Sequence, residues 1–461
     1  MGFVIQKFGG TSVGNAERMQ HVAGIIASSL KQQQVIAVVS AMSGGTKSEG
    51  TTSLIIRAFE QAMQGHAFRK ELSLIKANHL KALEQIVPEP SRRLETEIDI
   101  RDEMNRMASL LKAIQVIREL PTRSRDVLLG AGERLSARIL VASLREKGTE
   151  ADFVDLSDVV DEQETAVDPG FFKRLQAKLA EVCLPRPGVV PVVTGFFGMV
   201  PGGLLKAVGR GYTDFTAALI AAGLSRERVD EMQVWKEVDG IFTADPRRVP
   251  TARALPTISP TEASELTYFG SEVLHPFTME RVVSAGIPIR IKNTFRPEGH
   301  GTVIVARREE APPRVTAVTA KRGISVVTVQ SNRMYNAYGF LANVFKVMAD
   351  LGVVVDLVST SEVSVSLTVD KPDDLERIRA GLAPLGAVEV MTGRAILSMV
   401  GEGMKYAPGT SGQMFSALGK AGVNIEMISQ GASEINISCV IKEEEAEKGL
   451  RVVHQSFLEP A

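Results

Sequence analysis

MGFVIQKFGGTSV, residues 1–13, opens with the apolar run Phe3-Val4-Ile5 and passes through Lys7 into Gly9-Gly10-Thr11-Ser12. It reads as a strand that ends in an anion cradle. Two adjacent glycines let the backbone approach a bulky anion, with bare N–H groups and the Thr11 and Ser12 hydroxyls open to phosphate oxygens, and Lys7 adds a mobile positive charge. Downstream, Met19, Val22, Ala23, Ile26 and Leu30 recur on one helical face, so the cradle sits at a helix N-terminus, where anions are favoured. An ordinary strand-to-helix turn with a surface lysine fits the same letters. The stretch is not a Walker A loop, because its lysine precedes the glycines, and it does not fit the GxGxxG fingerprint.

Val35 to Val39 is a continuous apolar run of the kind buried on both faces of a parallel sheet. The polar loop Ser40 to Thr52 follows at the carboxyl end of that strand, where open α/β sheets bind ligands; Ser40, Thr46 and Lys47 are its candidates, and a solvated glycine loop is the alternative. Ser53 to Leu120 has a charged helical period broken at Pro88 and Pro90, which predicts a long helical hairpin. In DVLLGAGERLSARILVASL, Gly130 and Gly132 precede a helix, so Glu133 is expected in its first turn, either complementing the helix dipole or facing a pocket to hold an ammonium group.

Val189 to Val193 is another buried strand, and VGRGYTDFTAALIAAGL places Arg210 in a glycine loop with Thr213 or Asp214 as helix cap. A guanidinium there suits bidentate carboxylate recognition, whereas Asp214 fits capping alone. MQVWKEVDGIFTAD adds a strand in which Trp235 reads as packing; Lys236, Phe242 and Arg247 could meet a nucleotide. Strands and helices alternate up to residue 306, which predicts an α/β domain with a mostly parallel sheet flanked by helices, then a linker over 307–314.

The remaining residues contain a repeat. GFLANVFKVMADLGVVVDLVSTSEVSVSLTV, from Gly339, is echoed by GTSGQMFSALGKAGVNIEMISQGASEINISCVI, from Gly409, aligning Phe345 with Phe415, Gly352 with Gly422 and Asp356 with Glu426. The order of elements predicts two ferredoxin-like βαββαβ modules, 324–394 and 395–461, the second completed by a strand over 315–323. Such modules serve dimerisation or sensing. Their strand-to-helix loops, Asn336 to Leu341 and Ala407 to Gln413, offer backbone N–H groups to an amino-acid carboxylate.

A formal net charge of -1, with charges spread along the chain, excludes nucleic acid and anionic membrane as expected partners. No apolar run approaches a spanning helix and the chain begins directly with a strand, so a cytoplasmic location is expected. Cys183 and Cys439 lie far apart in apolar surroundings, which predicts buried thiols in a reducing compartment. Six scattered histidines give no ligand spacing, so no protein-held metal is expected beyond a Mg²⁺ arriving with a nucleotide.

KFGGTSV, GRGYTDFTAALI, WKEVDGIFTADPR, SEVLHP and the two C-terminal modules stand in an order that resembles the aspartate kinases over essentially the whole chain, and KSEGTTS, SEVLHPFTMERV and EINISCVI resemble the fungal-type branch. The resemblance implies an amino acid kinase fold followed by two ACT domains. It also implies phosphorylation of the L-aspartate side chain by ATP, ahead of threonine, methionine and lysine biosynthesis.

By that resemblance Lys7, Arg210 and Asp214 are catalytic. Lys7, Gly9, Gly10, Thr11, Thr213, Lys236, Phe242 and Arg247 hold ATP, and Ser40, Thr46, Glu133 and Arg210 hold aspartate. Met334, Gly339, Phe340, Leu341, Asp356 and Ser361 match effector positions, with threonine the first expectation and lysine the next. A homodimer or homotetramer through the ACT domains is implied. The chain departs from many relatives at Glu272, where they carry Lys, and at Phe242, where they carry Tyr; a nucleotide contact assigned to the first is not carried over. The competing readings are another amino acid kinase of this fold and an amino-acid-binding regulator with an inactive core.

Overall fold

The computed structural model describes residues 2–44, 49–160, 164–209, 211–269, 274–308, 311–331, 338–370, 374–432 and 435–459. It forms two compact units, Met1–Ile241 with Leu274–Ala306, and Phe242–Val273 with Arg307–Ala461. The sequence reading keeps Phe242–Val273 inside a first domain of 1–306; by its contacts this segment groups with the C-terminal unit.

The first unit starts with β1 (Phe3–Phe8), α1 (Ala16–Ser29) and β2 (Gln34–Val39), followed by α2 (Thr51–Met63), α3 (Arg69–Ile86), α4 (Pro90–Ile117) and α5 (Thr122–Glu146). Next come β3 (Ala151–Val154), α6 (Phe171–Val182), β4 (Val190–Thr194), the single turn α7 (Leu204–Ala207), α8 (Tyr212–Leu224) and β5 (Val229–Lys236). The chain gives β6 (Thr257–Ile258) and α9 (Pro260–Tyr268) to the other unit and returns with α10 (Pro276–Ser284), β7 (Ile289–Asn293) and β8 (Thr302–Ile304).

Within this unit the strands are ordered β3-β4-β2-β1-β5-β7-β8, all parallel except the β7–β8 pair. The Val/Ile runs of β1, β2 and β4 are buried on both faces, as inner parallel strands must be. Alternation along β1 splits its side chains: Val4 and Phe8 join the core with α1 to α5, while Lys7 turns to the face that carries α8. Lys7 pairs in register with Val38 of β2 and Val234 of β5, so the carboxyl ends of these strands open on one edge.

The predicted hairpin is three helices, because the chain also breaks between Met63 and Arg69, where Gly65 takes φ +80. Gly130 and Gly132 do not precede a helix; both lie inside α5, and Glu133 is mid-helix. Their missing side chains are a packing requirement: a Cβ on Gly130 would meet the Phe196 ring at 2.7 Å, and one on Gly132 would meet Ala41 Cβ at 2.9 Å. Gly130→Ala is therefore expected to destabilise the unit by about 1–3 kcal/mol despite alanine's helix preference, measured as a lowered urea midpoint.

In the second unit β9 (Ala317–Gln330), α11 (Phe340–Asp350), β10 (Val358–Thr360), β11 (Ser364–Val369), α12 (Leu375–Leu382), β12 (Ala387–Val400), α13 (Thr410–Lys420), β13 (Met427–Gln430), β14 (Asn436–Lys442) and α14 (Ala446–Leu458) follow in turn. One antiparallel sheet runs β10-β11-β9-β12-β14-β13. The sequence reading has separate strands for the two modules, whereas β9 and β12 each pass through both. The amino half of β9 pairs with the carboxyl half of β12, and the register shifts where Gly323 and Gly393 adopt φ +73 and +67. The repeat persists in the backbone: Gly339 and Gly409 cap α11 and α13 at φ +83 and +79. No helix among the described residues is long and apolar enough to cross a membrane.

Candidate active site

The carboxyl end of β1 leads into the glycine pair. A Cβ on Gly10 would lie 2.6 Å from the Ala41 carbonyl oxygen, and Ser43 N–H donates to the Gly10 carbonyl at 3.1 Å, which seats the turn against the loop after β2. The nearest atom to a Cβ on Gly9 is Lys7 Nζ, at 3.8 Å, so glycine leaves the approach to the ammonium open. Asn15 caps α1 by accepting from Arg18 N–H at 2.9 Å. The Ser12 hydroxyl is committed elsewhere, 2.8 Å from Thr294 Oγ1.

Lys7 Nζ lies 2.7 Å from Asp214 Oδ1, with side chains only 9% and 15% exposed. Asp214 stands in the first turn of α8, whose cap is Gly211, so the expectation that Thr213 or Asp214 caps this helix is corrected. From that first turn Asp214 aims its carboxylate at the lysine. The buried Thr213 hydroxyl takes a different partner: it accepts from Ser40 Oγ at 3.1 Å and donates to Glu133 Oε1 at 2.9 Å. Gly195, at the end of β4, leaves room for Thr213, since a Cβ there would fall 2.4 Å from the threonine methyl.

Glu133 is 1% exposed; its Oε1 accepts from Thr213, and its Oε2 makes no close hydrogen bond among the described residues, although the Phe196 N–H and the Tyr212 hydroxyl also stabilise the charged carboxylate. Burial pushes its carboxyl up to about 7, against the opposing pull of the Thr213 hydroxyl, the Phe196 N–H, the Tyr212 hydroxyl and the Lys7 charge. The site thus holds a fixed cation with its counter-ion beside a buried acid. Tyr212, which the sequence reading passed over, is buried next to it; burial and the Glu133 charge hold its phenol well above the usual range. Its place in GRGYTDFTA, one residue before Thr213, was the available signal.

Thr46 and Arg210 lie outside the described residues, as do Met334 and Glu272. Lys236 ends β5 in the first unit, whereas Phe242 and Arg247 belong to the segment grouped with the second. There Phe242 bridges to Ala254 and the exposed Arg247 forks onto Asp245 at 2.9 Å. Trp235 is packing, stacked on Phe8 at 5.8 Å between ring centroids. Both cysteines are buried, and burial pushes each thiol up to about 12. No group of three or more His, Cys, Asp or Glu among the described residues could hold a metal.

In the first repeat module Gly339 caps α11, Phe340 is buried, Leu341 is half exposed and Ser361 is exposed beside Ser364. Asp356 is already engaged. Lys321 Nζ donates to both its oxygens at 2.9 Å, and the aligned Glu426 of the second module is held in the same way by Arg394 at 2.8 and 3.0 Å. Burial raises the Asp356 carboxyl, and Lys321 opposes it.

Comparison with known proteins follows this geometry. Residues 2–293 match the amino acid kinase family, and residues 397–457 match an ACT domain. The chain is 46% identical to the aspartokinase of Schizosaccharomyces pombe, over 100% of its own length and 93% of that protein. Among solved structures, E. coli aspartokinase III in complex with aspartate and ADP (R-state) is 30% identical with a TM-score of 0.79, covering 99% of this chain and 100% of that one. The same enzyme in complex with lysine and aspartate (T-state) gives the same identity, score and coverage.

Proposed function

The chain belongs to the aspartokinases of the amino acid kinase family, and from that premise we propose how its residues divide the reaction and which amino acid restrains it. Its reaction is that of an aspartate kinase: a side-chain carboxylate oxygen of L-aspartate bonds to the γ-phosphorus of ATP, and the bond to ADP breaks, giving 4-phospho-L-aspartate. That carboxylate, with an ordinary pKa of about 3.9, is already anionic at neutral pH, so no general base is needed. The protein supplies alignment and positive charge.

Lys7, steadied by Asp214, faces the charge that develops on the transferred phosphoryl group, and Gly9, Gly10 and Thr11 line the phosphates. Glu133 takes the ammonium of aspartate on Oε2 while Thr213, itself held by Ser40, fixes Oε1, with Thr46 alongside and Arg210 on the α-carboxylate. Mg²⁺, carried by the nucleotide, screens phosphate charge when bound. Lys236, Phe242 and Arg247 are assigned to adenosine and the outer phosphates on the resemblance. The observation that carries this reading is the buried Glu133 carboxylate, whose Oε2 makes no close hydrogen bond among the described residues, held by Thr213 one residue before Asp214. The aspartate and ADP bound by the E. coli relative support it.

Threonine is the proposed inhibitor, with lysine next, acting at Gly339, Phe340, Leu341, Asp356, Ser361 and Met334 in a dimer or tetramer built through the ACT domains. The lysine complex of the E. coli enzyme supports an amino acid in that role. Asp356→Ala is expected to raise the half-inhibiting concentration about tenfold or more, with the aspartate KM little changed. Initial rates against threonine and lysine test this, alongside thermal melts that register binding without activity. Inhibition equal to that of the unmodified chain moves the effector elsewhere.

A further inference from the structure

We infer that the buried Arg134–Glu103 pair is a register lock that aims Glu133 and so sets how tightly the chain holds the ammonium of its substrate. The inference rests on the assignment of Glu133 made above. Arg134 follows Glu133 in α5 and is 2% exposed, yet nothing in the reaction uses it. Its guanidinium forks onto Glu103 of α4, with Nε to Oε2 at 3.1 Å and NH2 to Oε1 at 2.5 Å. NH1 donates to Ser157 Oγ at 3.0 Å and NH2 to the Val127 carbonyl at 3.1 Å.

These contacts converge on Glu133 from behind. Ser157 follows Leu156, whose N–H donates to Thr194 Oγ1, and that hydroxyl donates to the Phe196 carbonyl. Phe196 returns to α5 by packing on Gly130, one turn before Arg134. Gly195, between Thr194 and Phe196, packs on Thr213 and accepts from Thr216 of α8 through its carbonyl. A closed ring of restraints therefore joins α5, the ends of β3 and β4, and the α8 turn that touches Glu133.

The glycine faces of α5 define how near the helix lies but not how far it slides or turns. A bidentate fork defines both. Replacing a buried ion pair by apolar side chains of similar volume is often neutral for stability, while buried polar pairs are best attested as devices of register. Arg134 is thus a positioning residue rather than a catalytic one.

The test is the double variant Glu103→Met/Arg134→Met in the full chain, with Arg134→Lys as its conservative partner and Glu133→Gln as control. The expected result is a rise in aspartate KM of roughly tenfold or more, with ATP KM and kcat within about twofold and the thermal midpoint retained. Arg134→Lys, which cannot fork, should fall between. Aspartate-induced thermal shifts read the same loss without turnover. An unchanged aspartate KM, or equal rises for both substrates, would leave the pair structural and overturn the inference. If Glu133→Gln leaves aspartate KM unchanged, the Glu133 assignment fails and takes the lock with it; if only the double variant is silent, the lock alone fails.

Discussion

Lys7→Ala should lower turnover about a thousandfold while the chain stays folded, because the change removes the cation proposed to face the developing phosphoryl charge. The lysine is held in place: it stands on the central strand, at the edge where the parallel strands end, with Asp214 2.7 Å away. The same variant leaves Asp214 mostly buried without its counter-ion, so a lowered melting temperature is expected too. Restoring the charge balance with Lys7→Ala/Asp214→Asn should recover stability but not rate. Turnover within about tenfold of the unmodified chain would remove Lys7 from the mechanism.

Glu133→Gln is the second large effect. The neutral amide keeps shape and the Thr213 contact but cannot compensate an ammonium, so aspartate KM should rise about a hundredfold with ATP KM nearly unchanged. The acid also predicts a pH dependence. Without substrate, burial raises its carboxyl from an ordinary 4.5 to about 7, so between those values the folded chain binds more protons than the unfolded one. By linkage this group's contribution to stability falls as pH rises from about 4.5 to about 7.

An aspartate ammonium favours the ionised carboxylate and reverses that loss. Aspartate should therefore bind more tightly, and raise the melting temperature more, at pH 8 than at pH 6. The difference should vanish in Glu133→Gln. A shift of equal size at both pH values in the unmodified chain would deny Glu133 contact with the ammonium.

What could be read in advance followed from local chemistry. The apolar runs of β1, β2 and β4 announce a doubly covered sheet, the Lys7 to Ser12 stretch announces its cradle, and the matched phrases from Gly339 and Gly409 announce paired modules. Glycine was the main source of error. Gly130 and Gly132 read as breaks before a helix but sit inside α5, where neighbours leave no space for a side chain. The module limits expected at 323/324 and 394/395 fall instead beside bends at Gly323 and Gly393 within two long strands.

Contacts distant in sequence left no local trace. Thr213 looks like a helix cap until Glu133, 80 positions earlier, is seen to accept its hydrogen bond. Arg134 and Glu103, 31 positions apart on different helices, carry no pattern that links them. The segment 242–273 alternates like its neighbours, and only its packing assigns it to the C-terminal unit.

The most direct measurement is trapping of the acyl phosphate with hydroxylamine in the presence of Mg-ATP, comparing L-aspartate, L-glutamate and N-acetyl-L-glutamate in the unmodified chain and in Glu133→Gln. The account predicts hydroxamate from L-aspartate alone, and its loss in the variant at an aspartate concentration that saturates the unmodified chain. Equal signal from L-glutamate, or full signal from the variant at that concentration, would contradict it.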